Sequence, residues 1–265
     1  MNVPRWTVFS AATLLLLVVA FIEVSQAASS CTVPQEMTQF TVGLPHTAGA
    51  LGSGKALAIV AIGSSSTRGV GASNPAHTYP ALLNEDLRRR WPQLAVTVIN
   101  KGVSGEIASQ MLTRFEGDVL PYHPQLVIWQ TGTNQALRTG DIGGYIDTIR
   151  EGISRLKATR ADIVLMDPQF APRVLARPTH PFIVDSISAA AHDMNVAVFR
   201  RFAVMRHLVS SGQYKMEDII SSDGLHMNDV SYSCIAQLLA DSVATAAVSG
   251  NYRRGLNETA RGASR

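Results

Sequence analysis

The chain has 265 residues, a net charge of +3 and a hydrophobic fraction of 46%. That length suits one good-sized domain with a single core. No basic run exceeds Arg88-Arg89-Arg90, which gives no footing to nucleic-acid binding, and the seven histidines show neither i, i+4 spacing nor His-Glu-x-x-His, which gives none to a catalytic zinc site of that kind.

Residues 1–27 read as a signal peptide. Arg5 carries a positive charge, Ala11 to Ile22 are almost wholly apolar, and Ser25-Gln26-Ala27 offers the small residues that a signal peptidase reads. An uncleaved membrane anchor is the alternative, since the 17 residues from Trp6 to Ile22 hold no charge and a bilayer span takes ~17–25. A lipid on Cys31 is a third outcome, although Ala28-Ser29-Ser30 lacks the large aliphatic residue such sites carry. The expected destination is the periplasm or the medium. There Cys31 and Cys234 either pair, tying the mature N-terminus to the last helix, or stay as thiols with Cys234 buried.

Residues 28–55 form a polar lead-in. Short, continuous apolar runs follow at 57–62, 96–99, 126–129, 163–166 and 196–199. Runs of this type suit strands of a parallel sheet covered on both faces. Helical patterns separate them at 79–90, 106–120, 142–159 and 183–194, and a last one spans 230–248. This alternation predicts an α/β domain over residues 56–248, a three-layer α/β/α sandwich with about five parallel strands. Residues 249–265 are polar and Gly/Arg-rich and read as a flexible tail. Within it Asn257-Glu258-Thr259 matches a glycosylation sequon that carries little weight there.

Open α/β sheets bind ligands beyond the carboxyl ends of their strands, so the segments after the strands carry the functional signal. The first strand runs into Gly63-Ser64-Ser65-Ser66-Thr67, the second into Asn100-Lys101-Gly102-Val103-Ser104-Gly105, and the third into Gln130-Thr131-Gly132-Thr133-Asn134. Ahead of the last helix stands Asp223-Gly224-Leu225-His226. A serine hydroxyl becomes a nucleophile when an imidazole takes its proton, and a carboxylate fixes that imidazole; one short loop here holds both partners. Each segment alone is more simply a turn, a cap or a surface histidine. Their joint occurrence, in order and at strand ends, is what points to chemistry.

Together these segments resemble the four blocks of the SGNH (GDSL-type) hydrolases, and the flanking residues 63–80 and 129–134 look like an exported bacterial esterase subgroup. The resemblance covers most of the chain from Ala58 to Ala247. It implies a flavodoxin-like sandwich and a Ser65, Asp223, His226 triad. It also implies an oxyanion hole made by the Ser65 and Gly102 backbone N–H groups and the Asn134 side chain. Neither metal nor organic cofactor is implied. The first block departs from the usual Gly-Asp-Ser, with Ser64 replacing the aspartate. This leaves open how the turn is held, and whether Ser64 or Ser66 caps the next helix or is itself the nucleophile. Gln135 follows Asn134 where an aspartate is usual. The elbow of α/β-hydrolases is not matched, because Thr67 stands where that motif needs glycine.

Arg138 and Met227 are expected at the edge of the pocket and Trp129 in the core, while Asp167-Pro168-Gln169, after the fourth strand, either lines the site or, by default, forms a turn. The other histidines are taken as structural. The expected activity is hydrolysis of small acyl esters, acetyl first, of a small molecule or carbohydrate. The alternatives are an acyltransferase onto a sugar hydroxyl and an inactive ester- or carbohydrate-binding protein. A membrane partner is expected only with an uncleaved leader. No nucleic-acid partner is expected, and the oligomeric state is left open.

Overall fold

Apart from Met1, the computed structural model describes residues 31–138 and 142–262, with backbone alone from residue 249. The leader or anchor expected over residues 1–27 lies outside the described residues, as do the side chains of the sequon.

Five strands, β1 (Leu57–Gly63), β2 (Val96–Gly102), β3 (Leu126–Gln130), β4 (Asp162–Met166) and β5 (Ala197–Phe199), form a wholly parallel sheet in the order β2-β1-β3-β4-β5. The alternation of side chains along each strand divides the core between two faces. On one face Ile59, Ala61, Leu126, Ile128 and Met166 pack with Leu83 and Leu87 of the helix Tyr79–Arg90, Val204 and Leu208 of Arg201–Ser210, and Ile235 and Leu239 of the last helix. On the other, Val60, Ile62, Val127, Trp129 and Leu165 pack with Met111 of Ala108–Leu112, Ile149 and Ile153 of Tyr145–Lys157, and Ile183 and Ile187 of His180–Asp193. Trp129 is core as expected, its ring meeting Phe115 edge-on.

The helix Tyr79–Arg90 has the limits that its sequence predicts. Its buried Tyr79, Leu83 and Leu87 recur every four residues, Pro80 sits in the first turn where a missing N–H costs nothing, and the helix stops before Trp91-Pro92. The single helix expected over 106–120 is instead three pieces: Ala108–Leu112, Phe115–Asp118 and a 3₁₀ turn at Leu120–Tyr122. Arg114 leaves helical geometry (φ −113°, ψ 8°), and its guanidinium binds Glu106, Asp118 and the Gly63 carbonyl. Pro121 then removes a backbone donor.

The lead-in is more than an approach to the sheet. Pro45–Ser53 is a helix whose first turn is pinned to the start of β4. The buried Asp162 carboxylate accepts the Thr47 N–H at 2.7 Å, the Thr47 hydroxyl at 2.8 Å and the His46 N–H at 3.2 Å. Burial raises the Asp162 pKa, and these hydrogen bonds pull against it. Thr47→Val is expected to lower unfolding stability by about 1.5–3 kcal/mol, the range for a hydrogen bond to a charged group; urea unfolding of the two proteins checks it. Cys31 and Cys234 are disulfide-bonded, with their Cα atoms 5.4 Å apart, which joins the lead-in to the last helix. That helix runs from Asp229 to Gly262, so its backbone continues past residue 249, where a tail is expected.

The connection from β1 goes out to the edge strand β2, and the chain then returns to lay β3 on the other side of β1. This reversal opens a crevice at the carboxyl ends of β1 and β3.

Candidate active site

Ser65 opens the short helix Ser65–Arg68 directly beyond β1. Its Oγ lies 2.8 Å from His226 Nε2, and His226 Nδ1 lies 2.5 Å from Asp223 Oδ2. An ionised carboxylate only accepts, so Nδ1 carries the proton and Nε2 is left to take the serine O–H. The other Asp223 oxygen accepts the N–H groups of Leu225 and His226, each at 2.9 Å. Partial burial pushes the Asp223 pKa up. The bonds from the His226 ring and from the two N–H groups outweigh that and hold the carboxyl below its usual range. The spacing Asp-x-x-His is thus a tight turn in which the acid grips both ring and backbone of the histidine.

Ser64 stands at the N-cap position of the helix Ser65–Arg68 but makes no side-chain capping bond, and neither it nor Ser66 is open to a substrate. Ser64 is 1% exposed, Ser66 is fully buried, and Ser65 is 7% exposed. Ser64 Oγ donates to Gln130 Oε1 at 3.1 Å, and Ser66 Oγ to Gln169 Oε1 at 3.4 Å. The same Gln130 oxygen accepts the Ser64 N–H at 2.9 Å and the Thr67 hydroxyl at 3.2 Å. This buried carboxamide from the end of β3 therefore holds the nucleophile turn in the absence of an aspartate at 64. The signal available in the sequence was a glutamine closing an otherwise apolar strand.

Asn134 and Gly102 fare differently. Asn134 Nδ2 donates one proton to the Glu106 carbonyl at 2.9 Å, which orients the amide and leaves its second proton for a ligand. The Gly102 N–H is already committed, donating to Asn100 Oδ1 at 2.9 Å, so Gly102 is not the free donor expected. Its contribution is space, since a Cβ there would stand 2.1 Å from the Arg68 amide nitrogen. Gly105, in the same loop, keeps a free donor: at φ +82° it takes the left-handed turn beyond β2, and no acceptor among the described residues holds its N–H. Its loop is fastened beside Asn134, because Arg138 Nη2 donates to the Gly105 carbonyl at 3.0 Å. Arg114, bonded to Glu106 at 2.7 Å and to the Gly63 carbonyl at 3.0 Å, ties the same loop to β1. The Ser65 N–H, at the first position of its helix, also has no described acceptor.

Arg138 is exposed at this rim. Met227 is not at the pocket edge: it is fully buried in the core. The antiparallel bridge between Ile220 and Met227 turns its side chain inward. Among the described residues no group of three or more His, Cys, Asp or Glu is arranged to hold a metal ion.

A model of the Non-GDSL lipase-like family matches residues 30–249. An arylesterase from Vibrio mimicus is 25% identical over 166 residues, covering 63% of this chain and 78% of the relative. Among solved structures, a two-domain esterase active on acetylated mannans superposes with a TM-score of 0.67 at 20% identity, over 80% of this chain. This chain spans 56% of that protein's length. An acetyl xylan esterase from Geobacillus stearothermophilus gives a TM-score of 0.60 at 20% identity, over 72% of this chain and 96% of its own. At such identities these structures establish the shared fold.

Proposed function

The chain belongs to the Non-GDSL lipase-like family, and from that premise we propose that it is an exported serine ester hydrolase that removes small acyl groups, acetyl first, from carbohydrate or other small alcohols. The observation that carries the reading is the continuous relay from Asp223 through His226 to Ser65 Oγ. In it, Ser65 Oγ attacks the acyl carbon while His226 Nε2 takes its proton, and Asp223 steadies the imidazolium. The tetrahedral oxyanion meets the Ser65 and Gly105 N–H groups and the free proton of Asn134. Donors of this kind are each worth about 10²–10³ in turnover. His226 then protonates the leaving alcohol, and a water, activated by the same nitrogen, hydrolyses the acyl-Ser65 ester.

Two further observations support parts of this reading. The mannan- and xylan-directed esterases among the structural relatives favour an acetylated carbohydrate. A disulfide between Cys31 and Cys234 suits an oxidising compartment and hence export.

Hydrolysis of p-nitrophenyl acetate, butyrate and octanoate, beside acetate release from acetylated xylan and mannan oligosaccharides, tests the substrate class. The expected order is acetate over butyrate over octanoate, with acetate released from at least one polysaccharide. A preference for octanoate overturns the small-acyl assignment. Turnover that appears only with an added sugar acceptor identifies an acyltransferase.

A further inference from the structure

Gln169 stands three residues beyond β4 and is fully buried. Its side-chain contacts fall one residue away from three groups of the proposed machinery. Its Oε1 accepts from Ser66, next to Ser65, at 3.4 Å, and from Thr133, next to Asn134, at 2.8 Å. Its Nε2 donates to the carbonyl of Leu225, next to His226, at 3.0 Å. The amide has one orientation, because the fully buried Arg201 also donates to Oε1, from Nη2 at 3.0 Å. A flipped amide would face that cation with its NH₂ group and the Leu225 carbonyl with its oxygen. Arg201 is held in turn: its Nε donates to the Asp167 carbonyl at 3.0 Å. The Asp167 carboxylate accepts the Phe202 N–H at 2.8 Å. Burial raises the Asp167 pKa to about 7, against the pull of the Phe202 N–H and of Arg201.

We propose that Gln169 is a positioning residue, fixing the distances between the nucleophile, the Asn134 donor and His226 through a single carboxamide. This rests on the triad proposed above. The three loops leave β1, β3 and the segment before the last helix, and nothing covalent sets their spacing. A buried polar hub with committed donors and acceptors gives them one arrangement.

Gln169→Glu tests this with little change of volume. A carboxylate keeps the acceptors for Thr133 and Arg201 and adds an ion pair with Arg201. It also sets an oxygen against the Leu225 carbonyl, which pushes the histidine loop away. The expected result is a fall in kcat for p-nitrophenyl acetate of about 10²-fold, the cost of a displacement near 1 Å in a catalytic group. The rate of inactivation by a fluorophosphonate should fall in parallel, with KM unchanged, while the broken Leu225 bond lowers the melting temperature modestly. A folded variant with wild-type kcat overturns the proposal, as does a lowered melting temperature with kcat intact. Thr133→Val, which removes one tie and adds no charge, should lower kcat in the same direction. If Gln169→Glu does not fold, an unchanged kcat in Thr133→Val overturns the proposal by itself. A wild-type chain inert to ester and fluorophosphonate sinks the hydrolase reading and this one together. An active wild type beside an equally active Gln169→Glu sinks only this one.

Discussion

Ser65→Ala is expected to lower kcat for acyl esters by about 10⁴–10⁶, the range seen when a nucleophile that works as one unit with its base is removed. The Oγ of Ser65 is the hydroxyl that meets His226 Nε2, and neither neighbour is placed to replace it. Ser64 Oγ is committed to Gln130 and Ser66 Oγ to Gln169, both in buried surroundings. The variant should keep its fold, since removal of an oxygen at this site leaves the Gln130 contacts of the turn untouched. Covalent labelling by a fluorophosphonate, followed by mass spectrometry of the intact chain, gives a second readout. The wild type should gain one adduct and Ser65→Ala none. Hydrolysis surviving in a clean preparation of the variant would remove Ser65 from the role.

Asp223→Asn should cost about 10⁴ in kcat through the wrong histidine tautomer. The reasoning follows from the two oxygens. One accepts two backbone N–H groups, from Leu225 and His226, so an asparagine is obliged to put its carbonyl there. Its NH₂ group then faces His226 Nδ1, which has to accept. The ring proton moves to Nε2, and Nε2 no longer takes the proton of Ser65. Measured on p-nitrophenyl acetate, kcat should collapse while the fold persists.

Acid stability supplies an independent check of sign. The Asp223 pKa is lowered in the folded chain, so its contribution to stability is present above the ordinary carboxylate range and is lost as pH falls through its own lower value. The melting temperature of Asp223→Asn should therefore decline less steeply on acidification than that of the wild type. Parallel curves would mean that the acid does not grip the histidine turn.

Of the residues that matter, those defined by local pattern were legible. Five apolar runs predicted five strands, and the pattern over 79–90 predicted its helix, because burial on a given side is written in the spacing of apolar residues along the chain. The Asp223-His226 pair was legible for a related reason, since a four-residue turn brings its own ends together. Met227 shows where this fails: an apolar residue beside the proposed base suggests a pocket wall, yet the bridge to Ile220 directs it into the core. Gly102 and Gly105 occupy one short run, and their difference depends on where the Asn100 side chain turns.

By itself, then, the sequence determined the layered α/β architecture and the order of the segments that meet at the carboxyl ends of the strands. The tertiary structure alone decided the buried polar ties that hold those segments in place. Gln130 reaches back to Ser64 across 66 residues, and Gln169 spans 56 residues to Leu225. Apolar burial is non-directional, so composition and period suffice to encode it. A hydrogen bond has direction and a short range, and its partner is fixed only once the whole chain has set the distance and the angle.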